Sequence, residues 1–194
     1  MDSSFEQLMV VGIFSGENSE GSTNVSGRET RLTAKTAADL ATYYKAGQLV
    51  MVGLHANEMA DWAMDHRPFL PVIPFSEEGE GDLIDDAHRL KMRRVLTTGA
   101  TELMVCTVDY RKKCTEFIFD RVFGEDFSIS FRYPDTTSTA VGLGYDKDIK
   151  KAEEAYLRHA KRFFKGLSPD DDELRAQKLR NQEPVPRRRS LIRR

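Results

Sequence analysis

Glu102-Leu-Met-Val-Cys-Thr-Val-Asp-Tyr-Arg-Lys-Lys-Cys-Thr-Glu-Phe-Ile-Phe-Asp-Arg-Val-Phe-Gly-Glu-Asp-Phe-Ser-Ile-Ser-Phe-Arg-Tyr133 is the stretch on which the fold turns. It is rich in β-branched and aromatic residues, with polar breaks near 111–112 and 124–126. Read by strand propensity, it is three consecutive strands, 102–110, 113–123 and 127–133, joined by short turns. With Arg111-Lys112 as a two-residue turn, Cys106 faces Phe117, Met104 faces Phe119, and Glu102 faces Arg121. One face then carries Met104, Cys106, Val108, Tyr110, Phe117 and Phe119, closed by a cross-strand ion pair. The third run alternates Phe127, Ile129, Phe131 and Tyr133 against Ser128, Ser130 and Arg132. A three-residue loop, 124–126, adds its aromatics to the Phe117/Phe119 face; a two-residue loop puts them on the other. Arg-Lys is a poor pair for a tight hairpin turn, and a one-residue slip would reverse every face.

Outward from this meander the chain offers helices to cover it. Residues 146–164 carry an apolar stripe of Ile149, Ala152, Tyr156, Ala160, Phe163 and Phe164, ended by Gly166. Residues 33–46 and 82–96 read as amphipathic helices, and 57–65 as a short one with Met59, Trp62 and Ala63 inward. The runs 5–14 and 48–54 read as buried strands, and 28–32 as an edge strand returning after the loop 15–27. The expected fold class is therefore α+β: a single domain over 1–166 with an antiparallel sheet covered by helices. Residues 167–194 form a helical extension and a basic arm. Ser168 is the expected N-cap of helix 169–181, with acids in its first turn. Its only apolar residues are Leu174, Ala176 and Leu179, which suits a solvated helix.

The arm concentrates charge. Arg187, Arg188, Arg189, Arg193 and Arg194 flank Ser190, Leu191 and Ile192. Removing these five positive charges from a chain of formal charge -2 leaves -7 on residues 1–186. An acidic body with a basic arm points to an acidic partner, either protein or nucleic acid. Leu191 and Ile192 add an apolar anchor for a protein groove, whereas the lack of interleaved aromatics disfavours base stacking. Arg187-Arg188-Arg189-Ser190-Leu191 also has the basic-basic-x-serine-hydrophobic form that a kinase would modify.

Chemistry is sparsely signalled. No helix-spaced histidine pair, CxxC or nucleophile elbow occurs, and no cofactor or metal is implied. Asp82, Asp85, Asp86 and His88 are weak metal candidates, because acids at a helix start already suit its dipole. Gly12-Ile-Phe-Ser-Gly16 lacks the Lys-Ser/Thr of a phosphate loop, and Gly142-Leu-Gly144 lacks a third glycine. The two cysteines, Cys106 and Cys114, are too few for a disulfide framework. No 18-residue apolar run and no secretory leader pattern is present, so the chain is expected in the cytoplasm without a membrane partner. The leading expectation is a non-enzymatic interaction or assembly subunit, a homo-oligomer or part of a larger complex, docking through its arm. The alternatives are a nucleic-acid-binding protein using the same arm, and a small enzyme with a site near His55, Asp61, Trp62 and His66.

Overall fold

The computed structural model describes residues 8–14, 27–67, 69–78, 82–134 and 146–181, with backbone alone for 146–148. Strands β1 (Leu8–Ile13), β2 (Gln48–Gly53), β3 (Phe75–Glu78), β4 (Glu102–Cys106) and β5 (Ser128–Arg132) form one sheet. Helices are α1 (Arg28–Tyr44), α2 (Ala56–His66), α3 (Leu83–Leu90), α4 (Lys112–Phe123), α5 (Asp146–Phe163) and α6 (Asp172–Arg180). A π-helical segment, Lys91–Val95, and a last turn, Leu96–Thr98, prolong α3.

The sheet order is β3-β2-β1-β4-β5, and every pairing is parallel. This corrects the expected α+β fold with an antiparallel meander: the chain is a layered α/β protein. Residues 113–123, expected as the middle strand, belong to α4, and a 3-10 turn, Asp109–Arg111, leads into it. The buried residues of α4 are Cys114, Thr115, Ile118, Phe119, Val122 and Phe123. They recur in pairs every fourth residue, which is a helical stripe. The two-residue alternation Phe117/Phe119 competes with that stripe, and the helical reading buries more. The crossover through α4 then makes β4 and β5 parallel neighbours, as such a connection requires.

Residues 28–32, expected as an edge strand, are the start of α1. That helix buries Glu29, Thr30, Thr33, Ala34, Ala37, Ala38 and Ala41. It ends at Lys45, which takes the left-handed cap conformation at φ 50°. The runs expected as buried strands at 5–14 and 48–54 are β1 and β2, and the helices expected near 57–65, 82–96 and 146–164 are present.

Alternation along the strands divides the core into two layers. Leu8, Val10, Phe14, Leu49, Met51, Met104 and Cys106 face α1 and α2. Met9, Val11, Ile13, Val50, Val52, Leu103 and Val105 face α3, α4 and the end of α5. Apolar residues on both faces are what a two-sided parallel sheet needs. Gly12 lets α1 press onto β1, since a Cβ there would lie 2.7 Å from Met51 Sδ and 3.0 Å from Ala37 Cβ. Cys106 and Cys114 are both free and lie in opposite layers. Burial pushes each thiol up to about 12, so neither is a reactive thiolate.

The C-terminal helix, expected as solvated, is exposed along Glu173, Leu174, Gln177, Lys178 and Arg180 but docked on its other side. Arg175 of α6 is fully buried and hydrogen-bonds Asp172 and the carbonyls of Ser168 and Pro169. Lys91 reaches from the π-helical segment to Pro169 O at 2.9 Å and to Asp172 at 3.0 Å. Buried charge therefore holds this helix, with Leu179 adding one partly buried apolar contact to the core. Its N-cap is Asp171 rather than Ser168. Among the described residues, no helix is long and apolar enough to cross a membrane.

Candidate functional site at the carboxyl edge of the sheet

From β1 the chain moves outward to β2 and β3, then returns to the other side of β1 as β4 and β5. The direction of winding reverses between β1 and β4. In open parallel sheets the crevice beyond the carboxyl ends of two such strands is where ligands bind, because the flanking loops part there. Here those ends are Phe14, whose N–H still bonds Val52 O at 3.1 Å, and Thr107, whose N–H bonds Arg132 O at 3.2 Å.

Arg111 sits at this reversal. The 3-10 turn that carries it follows β4 directly, with Arg111 N donating to Val108 O at 3.1 Å. Its guanidinium carbon lies 4.9 Å from the ring centre of Phe14 and 5.9 Å from that of Tyr110. Only 15% of its side chain is exposed. Glu153 of α5 stands 4.0 Å from its Nε, too far for a hydrogen bond, and that Nε has no hydrogen-bond partner. Burial pulls the guanidinium pKa down, but the Glu153 carboxylate and the Tyr110 hydroxyl outweigh this and leave it raised. Arg111 therefore keeps its charge in a setting where charge is costly.

Other groups gather around it. Glu29, in the first turn of α1, is 3% exposed. Burial pushes the Tyr110 phenol up to about 12, and Glu29 adds to the shift while Arg111 opposes it. Tyr156 of α5 donates to Asp82 at 2.5 Å, and Cys114 Sγ donates to Glu153 O at 3.3 Å. These bonds fasten α5 across the crevice side of α4. Arg31, Lys112, Lys113 and Arg132 are exposed along the same edge. At the end of β2, His55 is largely covered: Nδ1 is 3.4 Å from Glu58, and Nε2 is buried without a hydrogen-bond partner.

The cluster that the enzymatic alternative needs, His55, Asp61, Trp62 and His66, does not assemble. His55 and His66 stand at opposite ends of α2, roughly 16 Å apart by helical rise. Asp61 is exposed between them, and His66 stacks on Trp62 at 4.2 Å. The weak metal candidates have other work. Asp82 caps α3 by accepting from Ile84 N, Asp85 pairs with Arg89, and His88 turns toward Asp172 at 4.0 Å. Among the described residues, no three His, Cys, Asp or Glu side chains converge as a metal site. Arg187, Arg188, Arg189, Leu191, Ile192, Arg193 and Arg194 lie outside the described residues, as does Gly142-Leu-Gly144.

Sequence reasoning missed Phe14, Glu29, Tyr110 and Arg111. A signal was available in the order of the first elements: a buried strand, a glycine- and serine-rich loop, then a helix. That unit marks a carboxyl-edge loop even without a phosphate-loop motif. Comparison with protein-family models, with curated proteins and with solved structures returns no match.

Proposed function

We propose that this chain binds a small anionic ligand of the nucleotide class in the crevice between the carboxyl ends of β1 and β4. The observation that carries this reading is Arg111 at the winding reversal, a nearly buried guanidinium whose Nε stands 4.0 Å from Glu153 and makes no hydrogen bond. Arginine suits phosphate because its planar fork presents several donors at once. Two features support it. α1 starts beside this crevice, and its N-cap, Gly27, brings no side chain to the helix's first amides and the positive end of its dipole. The exposed cations along the edge add a field that attracts anions. The order 3-2-1-4-5 is shared with sheets that bind dinucleotides, although a fold alone does not assign a ligand.

The test is a thermal-shift and calorimetric screen of the full chain with AMP, ATP, NAD and inorganic phosphate. The reading expects saturable binding that weakens at least ten-fold in Arg111→Met and stays unchanged in Lys35→Ala, on the far part of α1. Absence of binding by every probe at about 1 mM, the weak limit of specific affinity, would overturn it.

The charge separation in the sequence favours a second reading, an assembly protein whose arm tethers an acidic protein or nucleic acid. A chain of residues 1–183 should then lose salt-sensitive binding to acidic partners that the full chain shows, and equal binding by both would remove the arm from consideration. Two free thiols suit a reducing compartment such as the cytoplasm.

A further inference from the structure

We infer that the outer edge of β3 is a contact surface for a second copy of this chain. Large apolar side chains are exposed there in close succession: Phe69 at 88%, Ile73 at 75% and Phe75 at 48%. Phe75 opens β3, with Ile73 two and Phe69 six residues before it, and among the described residues β3 pairs with β2 alone. Among the described residues the outer side of β3 therefore has no strand partner, and aromatic and aliphatic surface lies next to it. Such edges pair with another strand unless charge or a covering element prevents it.

The charge that would protect this edge is turned inward. Glu77 is 6% exposed and is neutralised by Arg94, with Arg93 at 3.9 Å. Arg94 also lies over the Phe75 ring, 4.7 Å from its centre. Among the described residues the rim carries an exposed acid, Glu78, and a base, Arg93, whose side chain is 61% exposed. A patch bearing both signs is complementary to itself: a two-fold axis brings Arg93 of each copy toward Glu78 of the other. An arginine-rich segment would instead meet Arg93, and an acidic one would meet Glu78. The opposite edge of the sheet differs, since β5 alternates Ser128, Ser130 and Arg132 with its apolar residues.

Sedimentation velocity of the full chain over a concentration series tests this. The expected result is a species of twice the chain mass at roughly 100 µM, a common range for modest self-association. Ile73→Glu with Phe75→Glu should return the monomer mass. Glu at 75 would find Arg94, so far-UV circular dichroism and the melting temperature should hold. Arg93→Glu should weaken the dimer at least ten-fold, and adding Glu78→Arg should restore it. A wild-type chain that stays monomeric at about 1 mM overturns the inference. So does a dimer unaffected by the paired glutamates, which would place the contact elsewhere. If the paired variant misfolds, Phe69→Ser, on an 88%-exposed side chain, gives the same reading without touching β3.

Discussion

The sheet and the C-terminal helix are fastened into one body by opposite chemistries. Between sheet and helices the contacts are Val, Ile, Leu, Met, Ala and Phe, most of them fully buried. Between α3 and α6 they are His88, Lys91, Asp172 and Arg175, with main-chain carbonyls as acceptors. The apolar seam tolerates the loss of one group by partial collapse. The charged seam does not, because each ion is held in place by its partners. The first should fail globally and gradually, the second locally and abruptly.

The sharpest break of the apolar seam is Phe119→Ala. Phe119 is fully buried in α4, stacks with Phe123 at 5.3 Å and meets Phe131 edge-on at 6.1 Å. The expected loss is about 4 kcal/mol, from lost transfer energy and the cavity left behind. Urea denaturation should show it as a lower midpoint with an unchanged slope, seen equally by every probe.

In the charged seam the matching change is Asp172→Ala. It leaves Lys91 and Arg175, whose side chains are 5% and 0% exposed, without their shared carboxylate. Stranding buried cations costs about 3 kcal/mol. α6 can escape that cost by leaving the body, taking Arg175 into water. Hydrogen exchange should therefore rise over 172–180 while β1, β2 and β4 keep their protection. Equal loss of protection in the central strands would erase the contrast between the seams.

Gly12→Ala probes the apolar seam from the side of overpacking. The new methyl would meet Met51 Sδ at 2.7 Å and Ala37 Cβ at 3.0 Å, so α1 must shift outward. The expected cost is about 2 kcal/mol. A second change, Met51→Ala, should recover part of it; denaturation of the single and double variants would measure the coupling.

This difference also explains what the sequence disclosed. β1 and β2 were legible because Leu8–Ile13 and Leu49–Val52 are unbroken apolar runs, the pattern of strands buried on both faces. α4 was not, because Phe117-Ile118-Phe119 satisfies a strand period and a helix period at once. Only the wider spacing 114/115, 118/119, 122/123 separates them. Misreading that one segment converted a parallel sheet into an antiparallel one. The docking of α6 was invisible for another reason: hydrophobic patterning has no means of registering a helix held by buried charge. Arg111 was hidden similarly. It occupied what read as a turn, and its partner ring, Phe14, is remote in sequence, so only the closed sheet brings them together.

The smallest and most specific effect lies in the pH dependence of the charged seam. His88 is 8% exposed and faces Asp172 and Arg175 of α6, and Lys91 and Arg89 from its own helix and its π-helical continuation. Burial, then the charge of Arg175, lowers its pKa below 6.5, against the pull of Asp172. The unfolded chain therefore binds a proton at a higher pH than the folded one. The contribution to stability is whole above about 6.5, the unfolded value, and is lost as the pH falls from there toward the folded value. Protonation in the fold would add a positive charge beside Lys91 and Arg175, with one carboxylate to share among three. α6 should loosen first, so exchange over 172–180 should quicken on acidification before the sheet responds. His88→Gln should flatten that window and leave stability above pH 7 nearly unchanged. A variant that retained the full slope would assign the acid sensitivity to the carboxylates instead.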